Sequence, residues 1–352
     1  MAMKVRLPVR KAILERRTYE VPAEGRLGKI RLDFNENTSG CGNAARRAVA
    51  RLSAKKLAMY PEYAGPTRQL AQYFRVRADE IALTNGGDDA LRVFFDTFVE
   101  PGSHILICEP TFPMYRYYAE IAGANVKALR YSAMMAFPLE EAVAALREKP
   151  HVLFLANPNN PTGTMVTKQA IAKLLRAATE TVVVLDEAYS EFSGESVVPW
   201  IRRYPQLFVA KTFSKAAGLA GLRLGAVLAQ RDSLALVKRA LPPYPVNVGA
   251  LAAGAAAVED RKTLNGYVRE VKRLRGWFTN ELEKRGARVF PSTGNFVLAD
   301  FGDAGPALFR ELERHGILVR EKSKDLGPGF ARISIGTKSE LKELLQFVPR
   351  AV

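Results

Sequence analysis

The sequence predicts an α/β fold in which a mostly parallel central sheet is flanked by helices, with a smaller α+β domain beside it. Two observations support this prediction. Short apolar runs alternate with longer amphipathic segments between about residues 80 and 230, a pattern typical of parallel strands joined by helices. These runs are nearly continuous in valine, leucine and isoleucine, as expected for strands that are buried on both faces.

The individual elements of the large sheet follow from hydrophobic periodicity. Continuous apolar runs predict strands, and segments whose apolar residues recur at helical spacing predict the helices between them. The predicted strands are 80–84, 104–108, 125–129, 151–156, 181–185, 207–210 and 223–229, and the predicted helices are 88–98, 115–122, 139–147 and 168–179.

A proline-rich segment at residues 241–245 interrupts this alternation. The pattern beyond it predicts a long helix over about 247–285, strands at 294–301 and 329–334, a helix at 304–316 and a last helix from residue 339. We therefore predict three parts of the chain: an N-terminal arm at 1–42 that joins the small domain, a large domain at 43–245, and a small C-terminal domain at 246–352.

Composition excludes several classes of protein. The 352 residues are 48% hydrophobic and 25% charged, which is ordinary for a globular protein and excludes collagen-like and disordered chains. Two cysteines and three scattered histidines favour neither a disulfide framework nor a metal site, so no metal is expected. The alanine- and glycine-rich stretch 245–258 is too short to span a bilayer, and no secretory signal is visible. We expect a cytoplasmic protein without a membrane partner.

The chain is strongly basic, with 52 Lys and Arg against 36 Asp and Glu and a net charge of +16. Its basic residues occur in dispersed pairs, and no zinc-finger or RNP motif accompanies them. We therefore predict that the positive charge attracts small anions and that nucleic acid is not a partner.

Four polar segments lie at or just beyond the ends of predicted strands, where open α/β sheets bind ligands. Residues 84–89, Thr-Asn-Gly-Gly-Asp-Asp, form a glycine turn that opens a helix, and free backbone N–H groups there can hold a phosphate. The same residues would also serve as an ordinary helix cap. Residues 156–163, Ala-Asn-Pro-Asn-Asn-Pro-Thr-Gly, are equally consistent with a simple turn after a strand.

The other two segments carry an aspartate and a lysine. Asp186 follows the apolar run 182–185, where a carboxylate is costly unless a cation or hydrogen-bond donors meet it. Lys215 follows Thr-Phe-Ser, and Arg223 lies eight residues further on. Singly, the aspartate could cap the next helix and the lysine could be exposed in a loop. Together the four segments supply a lysine, a buried aspartate and a phosphate-binding turn, which are the groups that pyridoxal phosphate needs.

On these motifs the sequence resembles the fold-type I aminotransferases of subgroup I/II, and within them it is most similar to histidinol-phosphate aminotransferases. The resemblance extends from residues 32–37, Leu-Asp-Phe-Asn-Glu-Asn, to residues 331–336, Ala-Arg-Ile-Ser-Ile-Gly. It implies pyridoxal 5'-phosphate as the cofactor, a large domain that binds it, and a homodimer. It also implies a ping-pong reaction in which a small anionic amino donor and a 2-oxo acid react in turn.

The resemblance also assigns the cofactor site. It implies that Lys215 binds the cofactor covalently and then acts as the general acid and base, and that Asp186 pairs with the pyridinium nitrogen. The other residues that it assigns to the cofactor are Tyr189 and Asn160 at the phenolate oxygen, Gly87, Asp88, Ser214, Arg223 and Thr212 at the phosphate, Phe112 stacked on the ring, and Tyr60 at the phosphate of the partner subunit.

Substrate contacts are implied in the same way. Arg332 matches an arginine that grips a substrate carboxylate, a bidentate task that suits its planar guanidinium. Arg320 matches a second arginine near the substrate phosphate, and Asn35, Tyr19 and Asn295 are further expected contacts. Either arginine would otherwise be an ordinary surface or strand-end charge.

Three departures from the family pattern bear on specificity. Residues 38–42 replace a segment that usually begins with proline, Ala217 stands where an aromatic residue is common, and the family's N-terminal Tyr-Val-Pro-Gly is only loosely matched at 19–22.

The first predicted reaction converts L-histidinol phosphate and 2-oxoglutarate into imidazole acetol phosphate and L-glutamate. The alternatives are an aromatic amino-acid aminotransferase, a threonine-phosphate decarboxylase, and a cofactor- or DNA-binding protein that has lost turnover.

Overall fold

The computed structural model describes residues 8–14 and 24–349. Its strands form two sheets, which together contain twelve strands in this described part of the chain. The strands are β1 (Ile30–Leu32), β2 (Ile81–Thr84), β3 (His104–Glu109), β4 (Asn125–Arg130), β5 (Val152–Ala156), β6 (Val182–Asp186), β7 (Leu207–Thr212), β8 (Gly225–Ala229), β9 (Arg288–Phe290), β10 (Phe296–Asp300), β11 (Ile317–Glu321) and β12 (Phe330–Ser334).

Helices connect and cover these strands. The α-helices are α1 (Lys11–Leu14), α2 (Asn43–Ala50), α3 (Ala54–Ala58), α4 (Ala64–Phe74), α5 (Gly86–Phe98), α6 (Met114–Ala122), α7 (Leu139–Leu146), α8 (Lys168–Ala177), α9 (Ser190–Ser193), α10 (Arg231–Ala240), α11 (Val248–Glu259), α12 (Arg261–Glu283), α13 (Gly305–Arg314), α14 (Ser323–Leu326) and α15 (Lys338–Phe347). Short 3-10 helices lie at Ala78–Glu80, Val198–Trp200, Ala220–Leu222 and Gly302–Ala304.

The larger sheet has seven strands in the order β2-β8-β7-β6-β5-β3-β4. The pairs from β7 through β6, β5 and β3 to β4 are parallel, whereas β8 runs antiparallel to both β7 and β2. Every residue of β5 is buried, and its alternate side chains join different cores: Leu153 and Leu155 on one face, Phe154 on the other. The predicted mostly parallel sheet, covered on both faces, is confirmed.

The smaller sheet has five strands in the order β1-β11-β12-β10-β9. Strand β1 pairs in parallel with β11, and the other neighbours are antiparallel. This pairing brings residues 30–32 to the C-terminal part of the chain. Neither β1 nor β9 was expected, because three-residue strands are too short to show a hydrophobic period. The domain boundaries at residues 42 and 245 stay a prediction.

The single long helix expected over 247–285 is wrong in one respect, because the structure divides it into α11 and α12. Asp260 separates the two helices, and its side chain accepts a hydrogen bond from the Thr263 backbone N–H at 3.2 Å. An aspartate that caps a new helix in this way favours a break over continuation. Helix α11 packs against α2 and α4, and α12 packs against α15 and the smaller sheet.

Candidate active site

A cavity of about 350 Å³ opens at the carboxyl ends of three neighbouring strands. Ala156, Asp186 and Thr212 are the last residues of β5, β6 and β7, and all three line it. Parallel strands place their ends at one edge of the sheet, so segments far apart in sequence meet there. Ten predicted cofactor residues line this cavity: Gly87, Asp88, Phe112, Asn160, Asp186, Tyr189, Thr212, Ser214, Lys215 and Arg223.

Lys215 lies in the wall of the cavity and is half-buried. Its Nζ atom donates a hydrogen bond to the Phe34 carbonyl oxygen at 2.8 Å and lies 5.9 Å from the centre of the Tyr189 ring. Burial lowers the pKa of Lys215 to about 8, and the positive charge of Arg332 adds to this effect. A lysine with this pKa is partly neutral near physiological pH, so it can act as a nucleophile and as a base.

Asp186 presents a carboxylate to the cavity from the end of β6. The Tyr115 hydroxyl donates a hydrogen bond to Oδ2 at 2.8 Å, and the Ala188 backbone N–H donates one to Oδ1 at 3.0 Å. Burial nevertheless raises the pKa of Asp186 above its ordinary value. A cation placed against this carboxylate would favour its ionised form, so the position suits a protonated ring nitrogen.

The first turn of α5, Thr212, Ser214 and Arg223 together form a cradle of hydrogen-bond donors. No side chain caps this helix at Asn85, so its first backbone N–H groups are available to a ligand. Gly86 has a φ of +84°, and a Cβ atom there would lie 2.5 Å from the Arg223 guanidinium. Only glycine therefore permits this close approach.

Polar side chains complete the cradle. Arg223 contacts Asp88 at 3.0 Å and the Ser214 hydroxyl at 3.4 Å, and the Thr212 hydroxyl donates to the Ser214 hydroxyl at 3.0 Å. A guanidinium, two hydroxyls and a helix N-terminus are a donor set that matches a phosphate group. With Lys215 and Asp186 on the same cavity, the residues present fit pyridoxal phosphate, the cofactor that the resemblance implies.

Three predicted substrate residues lie directly behind this wall. The Asn35 side-chain amide donates to the Tyr189 hydroxyl at 2.9 Å, and the Asn295 amide donates to the Asn35 carbonyl at 3.0 Å. Arg332 donates to the Asn160 side chain at 2.5 Å and also to the Asp33 carbonyl. All three predicted residues are buried and do not appear among the residues that line the cavity.

The remaining predicted residues that the structure describes, Arg320 and Tyr60, do not line the cavity. Arg320 faces Arg332 across the β11–β12 pair, but it lines a separate cavity of about 300 Å³ beside Arg26 and Asp33. Tyr60 is 79% exposed and stacks on Tyr244, with 4.5 Å between ring centres. Tyr19 lies outside the described residues.

Sequence reasoning missed several residues that line or adjoin the cavity. Tyr115 lies three residues after Phe112 and begins a predicted helix, so the sequence offered no signal that links it to Asp186. Lys211, also on the cavity wall, is buried and bonded to Glu187 at 2.8 Å and to the Ser190 hydroxyl at 2.5 Å. Glu36 belongs to the Asn-Glu-Asn motif, and that motif was the signal available for it.

The described residues contain neither a membrane-spanning helix nor a metal-binding cluster. None of the helices resolved there is long and apolar enough to cross a membrane. Within the same residues, no group of three or more His, Cys, Asp or Glu side chains is arranged to hold a metal ion.

Comparison with known proteins places the chain in a family. The family model for aminotransferase class I and II matches residues 28–348, so the chain belongs to the class I and II aminotransferases and is an aminotransferase. Histidinol-phosphate aminotransferase 1 of Carboxydothermus hydrogenoformans is 34% identical over 90% of this chain and 91% of its own length. The corresponding protein of a Geobacillus species is 34% identical over 90% and 88%.

Solved structures share the fold. A putative histidinol-phosphate aminotransferase from Erwinia carotovora atroseptica has a TM-score of 0.85 at 27% identity, covering 91% of this chain and 95% of that one. A histidinol-phosphate aminotransferase from Sinorhizobium meliloti, in complex with pyridoxal-5'-phosphate, has a TM-score of 0.85 at 26% identity, covering 91% and 90%. The expected aminotransferase fold is therefore confirmed.

Proposed function

We propose that this aminotransferase converts L-histidinol phosphate and 2-oxoglutarate into imidazole acetol phosphate and L-glutamate, a step of histidine biosynthesis. The observation that carries the proposal is the convergence of Lys215, Asp186 and the α5 cradle on one cavity. Relatives that carry the name histidinol-phosphate aminotransferase, 34% identical over 90% of the chain, support this choice of substrate. Its cofactor is pyridoxal phosphate.

When bound, pyridoxal phosphate supplies an electron-withdrawing ring that stabilises negative charge at the substrate Cα. We assign the proton transfer at that carbon to Lys215, because its lowered pKa leaves a neutral amine available. Asp186 would pair with the ring nitrogen and keep it protonated. Tyr115 and the Ala188 N–H hold the Asp186 carboxylate in one orientation for this task.

The remaining cofactor residues take roles that suit their chemistry. The α5 amides at Gly87 and Asp88 and the side chains of Ser214, Thr212 and Arg223 hold the phosphate. Tyr189 and Asn160 would hydrogen-bond the phenolate oxygen, and Phe112 would stack on the ring. Asn35 and Arg332 support this arrangement from behind, since they bond Tyr189 and Asn160 respectively.

We infer that the substrates are anionic and are recognised by arginines. Arg332 binds a substrate carboxylate, and Arg320 lies near the substrate phosphate, with Asn35, Asn295 and Tyr19 as further contacts. Both Arg320 and Arg332 belong to the smaller sheet and face each other in register. The net charge of +16 agrees with anionic substrates.

We also propose a cytoplasmic homodimer in which Tyr60 completes the site of the partner subunit. This role accounts for an exposed aromatic residue that lies outside the cavity of its own subunit. We also propose the division into an N-terminal arm at 1–42, a large cofactor-binding domain at 43–245 and a small domain at 246–352.

The proposal is tested by adding L-histidinol phosphate to the cofactor-loaded enzyme without a keto acid. Loss of the visible absorbance of the lysine-bound cofactor, at micromolar donor and not with L-phenylalanine, is the expected result. Faster loss with L-phenylalanine would indicate an aromatic aminotransferase, and carbon dioxide release from O-phospho-L-threonine would indicate a decarboxylase. Lys215→Ala should abolish turnover, since the other amine on the described cavity wall, Lys211, is bonded to Glu187 and Ser190. Wild-type turnover in that variant would refute the mechanism.

A further inference from the structure

Three buried hydrogen bonds connect the smaller sheet to the hydroxyl of Tyr189. Tyr189 follows β6 and lines the cofactor cavity, whereas Asn35 follows β1 and Ser334 is the last residue of β12. Asn35 and Ser334 are both fully buried. Asn35 bonds to Tyr189 and to Ser334, so it links the two. Ser334 has no role in the proposed reaction, and its place in this row of bonds needs an explanation.

Ser334 determines which way the Asn35 side-chain amide faces. The Asn35 backbone N–H donates to the Ser334 Oγ at 2.9 Å, and the Ser334 hydroxyl donates its own proton to the Asn35 Oδ1 at 3.1 Å. A buried hydroxyl proton needs an acceptor, and a reversed amide would place Nδ2, which can only donate, opposite it. The Oδ1 atom of Asn35 therefore faces Ser334, and the Nδ2 atom faces Tyr189.

The orientation of the Asn35 amide in turn determines the role of the Tyr189 hydroxyl. The Asn35 Nδ2 donates to the Tyr189 hydroxyl oxygen at 2.9 Å, and an amide nitrogen cannot accept a proton in return. Among the described residues, no other group accepts the Tyr189 proton. The Tyr189 ring also packs edge-on against Phe296, with 5.1 Å between ring centres, which holds the ring in place. The Tyr189 O–H is therefore available as a donor to a ligand in the cavity.

We propose that Ser334 is a positioning residue which, through Asn35, keeps the Tyr189 hydroxyl as a hydrogen-bond donor to the phenolate oxygen of the cofactor. This inference rests on the proposed function, because the contact between Tyr189 and the phenolate oxygen belongs to it. A donor at that oxygen reduces the negative charge that holds the proton on the Lys215 nitrogen of the lysine-bound cofactor. The donor therefore lowers the pKa of that nitrogen.

The experiment follows the visible absorbance of the lysine-bound cofactor against pH, because the spectrum changes when the Lys215 nitrogen loses its proton. Ser334→Ala should raise the midpoint by about half a pH unit or more, since the released Asn35 amide can reverse and accept the Tyr189 proton. Asn35→Asp replaces the Nδ2 donor by an acceptor oxygen and should raise the midpoint in the same direction. Aspartate tolerates the φ of 54° at this position, so this variant tests the inference independently.

Two controls isolate the effect of the hydroxyl. Ser103→Ala is the matched control, because the Ser103 hydroxyl is also buried and accepts a backbone N–H bond from Glu100, at 3.0 Å, but does not line the cavity. Its midpoint should equal that of the wild type. Tyr189→Phe should raise the midpoint by itself, and adding Ser334→Ala or Asn35→Asp to it should then change the midpoint little. This comparison separates an effect that acts through the hydroxyl from the direct effect of an added charge.

The outcomes distinguish the inference from the proposed function. An unchanged midpoint in Tyr189→Phe would refute the proposed contact with the phenolate oxygen, and the inference with it. A raised midpoint in Tyr189→Phe but not in Ser334→Ala and Asn35→Asp would overturn the inference and leave the proposed contact intact. Equal shifts in the presence and absence of the Tyr189 hydroxyl, or the same shift in Ser103→Ala, would also overturn it.

Discussion

At the scale of single residues, the reactivity of Lys215 comes from where the fold places it. The Lys215 side chain is half-buried in the cavity wall near Arg332. Burial, together with the positive charge of Arg332, lowers the pKa of Lys215 to about 8. Glu36 and Asp88 act in the opposite direction and limit the shift. The neutral amine is therefore the major form above about pH 8, whereas an ordinary lysine remains mostly protonated until about pH 10.4.

This pKa predicts how the cofactor-free protein takes up pyridoxal phosphate. The rate of uptake, followed by absorbance, should rise with pH through a midpoint near 8, because the neutral amine is the nucleophile. Arg332→Gln should move the midpoint upward by removing a nearby positive charge, while Arg310→Gln, at an exposed position of α13, should leave it unchanged. A midpoint at 10 or above in the wild-type protein would contradict this account.

At the scale of secondary-structure elements, the site depends on how β2, α5 and β8 meet. Strand β2 ends two residues before Gly86, where α5 begins, and β8 begins two residues after Arg223. Because β2 and β8 pair, the N-terminus of α5 and the Arg223 guanidinium lie close together. A Cβ atom at Gly225 would lie 2.5 Å from the Gly86 backbone, which shows how closely the two segments approach. The cradle therefore depends on Gly86, on Gly225 and on the pairing of β2 with β8.

Gly86→Ala should weaken pyridoxal phosphate binding by about tenfold or more, because a side chain at φ +84° is strained and would displace Arg223. Equilibrium dialysis of the cofactor against the variant measures the change. Gly65→Ala is the matched control, since a Cβ atom there meets nothing within 4 Å and the residue lies in α4. Unchanged cofactor affinity in Gly86→Ala would show that the close approach is not needed.

At the scale of the whole molecule, an exposed apolar surface surrounds the predicted intersubunit residue. Leu57, Met59, Tyr60 and Tyr244 are each more than half exposed, and the two tyrosines stack on each other. Clustered exposed apolar side chains of this kind are typical of protein interfaces. The proposed dimer would cover them and place Tyr60 at the neighbouring site.

Mixing a Lys215 variant with a Tyr60 variant tests this arrangement. A heterodimer of Lys215→Ala and Tyr60→Ala subunits would contain one intact site, which combines Lys215 of one subunit with Tyr60 of the other. Equal mixing after reversible dissociation should restore about a quarter of the wild-type sites. If each Tyr60 served its own subunit, no heterodimer site would be intact and mixing would restore nothing.

Local patterns in the sequence were sufficient for much of the fold and for the chemistry of the site. The strands β5, β6 and β7 were expected within a few residues of their observed bounds, because continuous apolar runs reflect burial on both faces. The segments around Gly87, Asn160, Asp186 and Lys215 were expected to meet, since parallel strands end at one edge. The cavity contains all four residues.

The tertiary structure alone decided the contacts that join distant segments. Tyr115 reaches Asp186 across 71 positions, and Asn35 reaches Tyr189 across 154, so no local period or spacing reveals either bond. The same holds for the Glu36 carboxylate, because its pairing depends on how Arg26 and Arg31 pack beside it. By itself the sequence determined which chemical groups the protein carries and at which strand ends they lie. Only the packed chain determined which groups are buried and which are partnered, because burial and partnership depend on neighbours that the chain brings together when it folds.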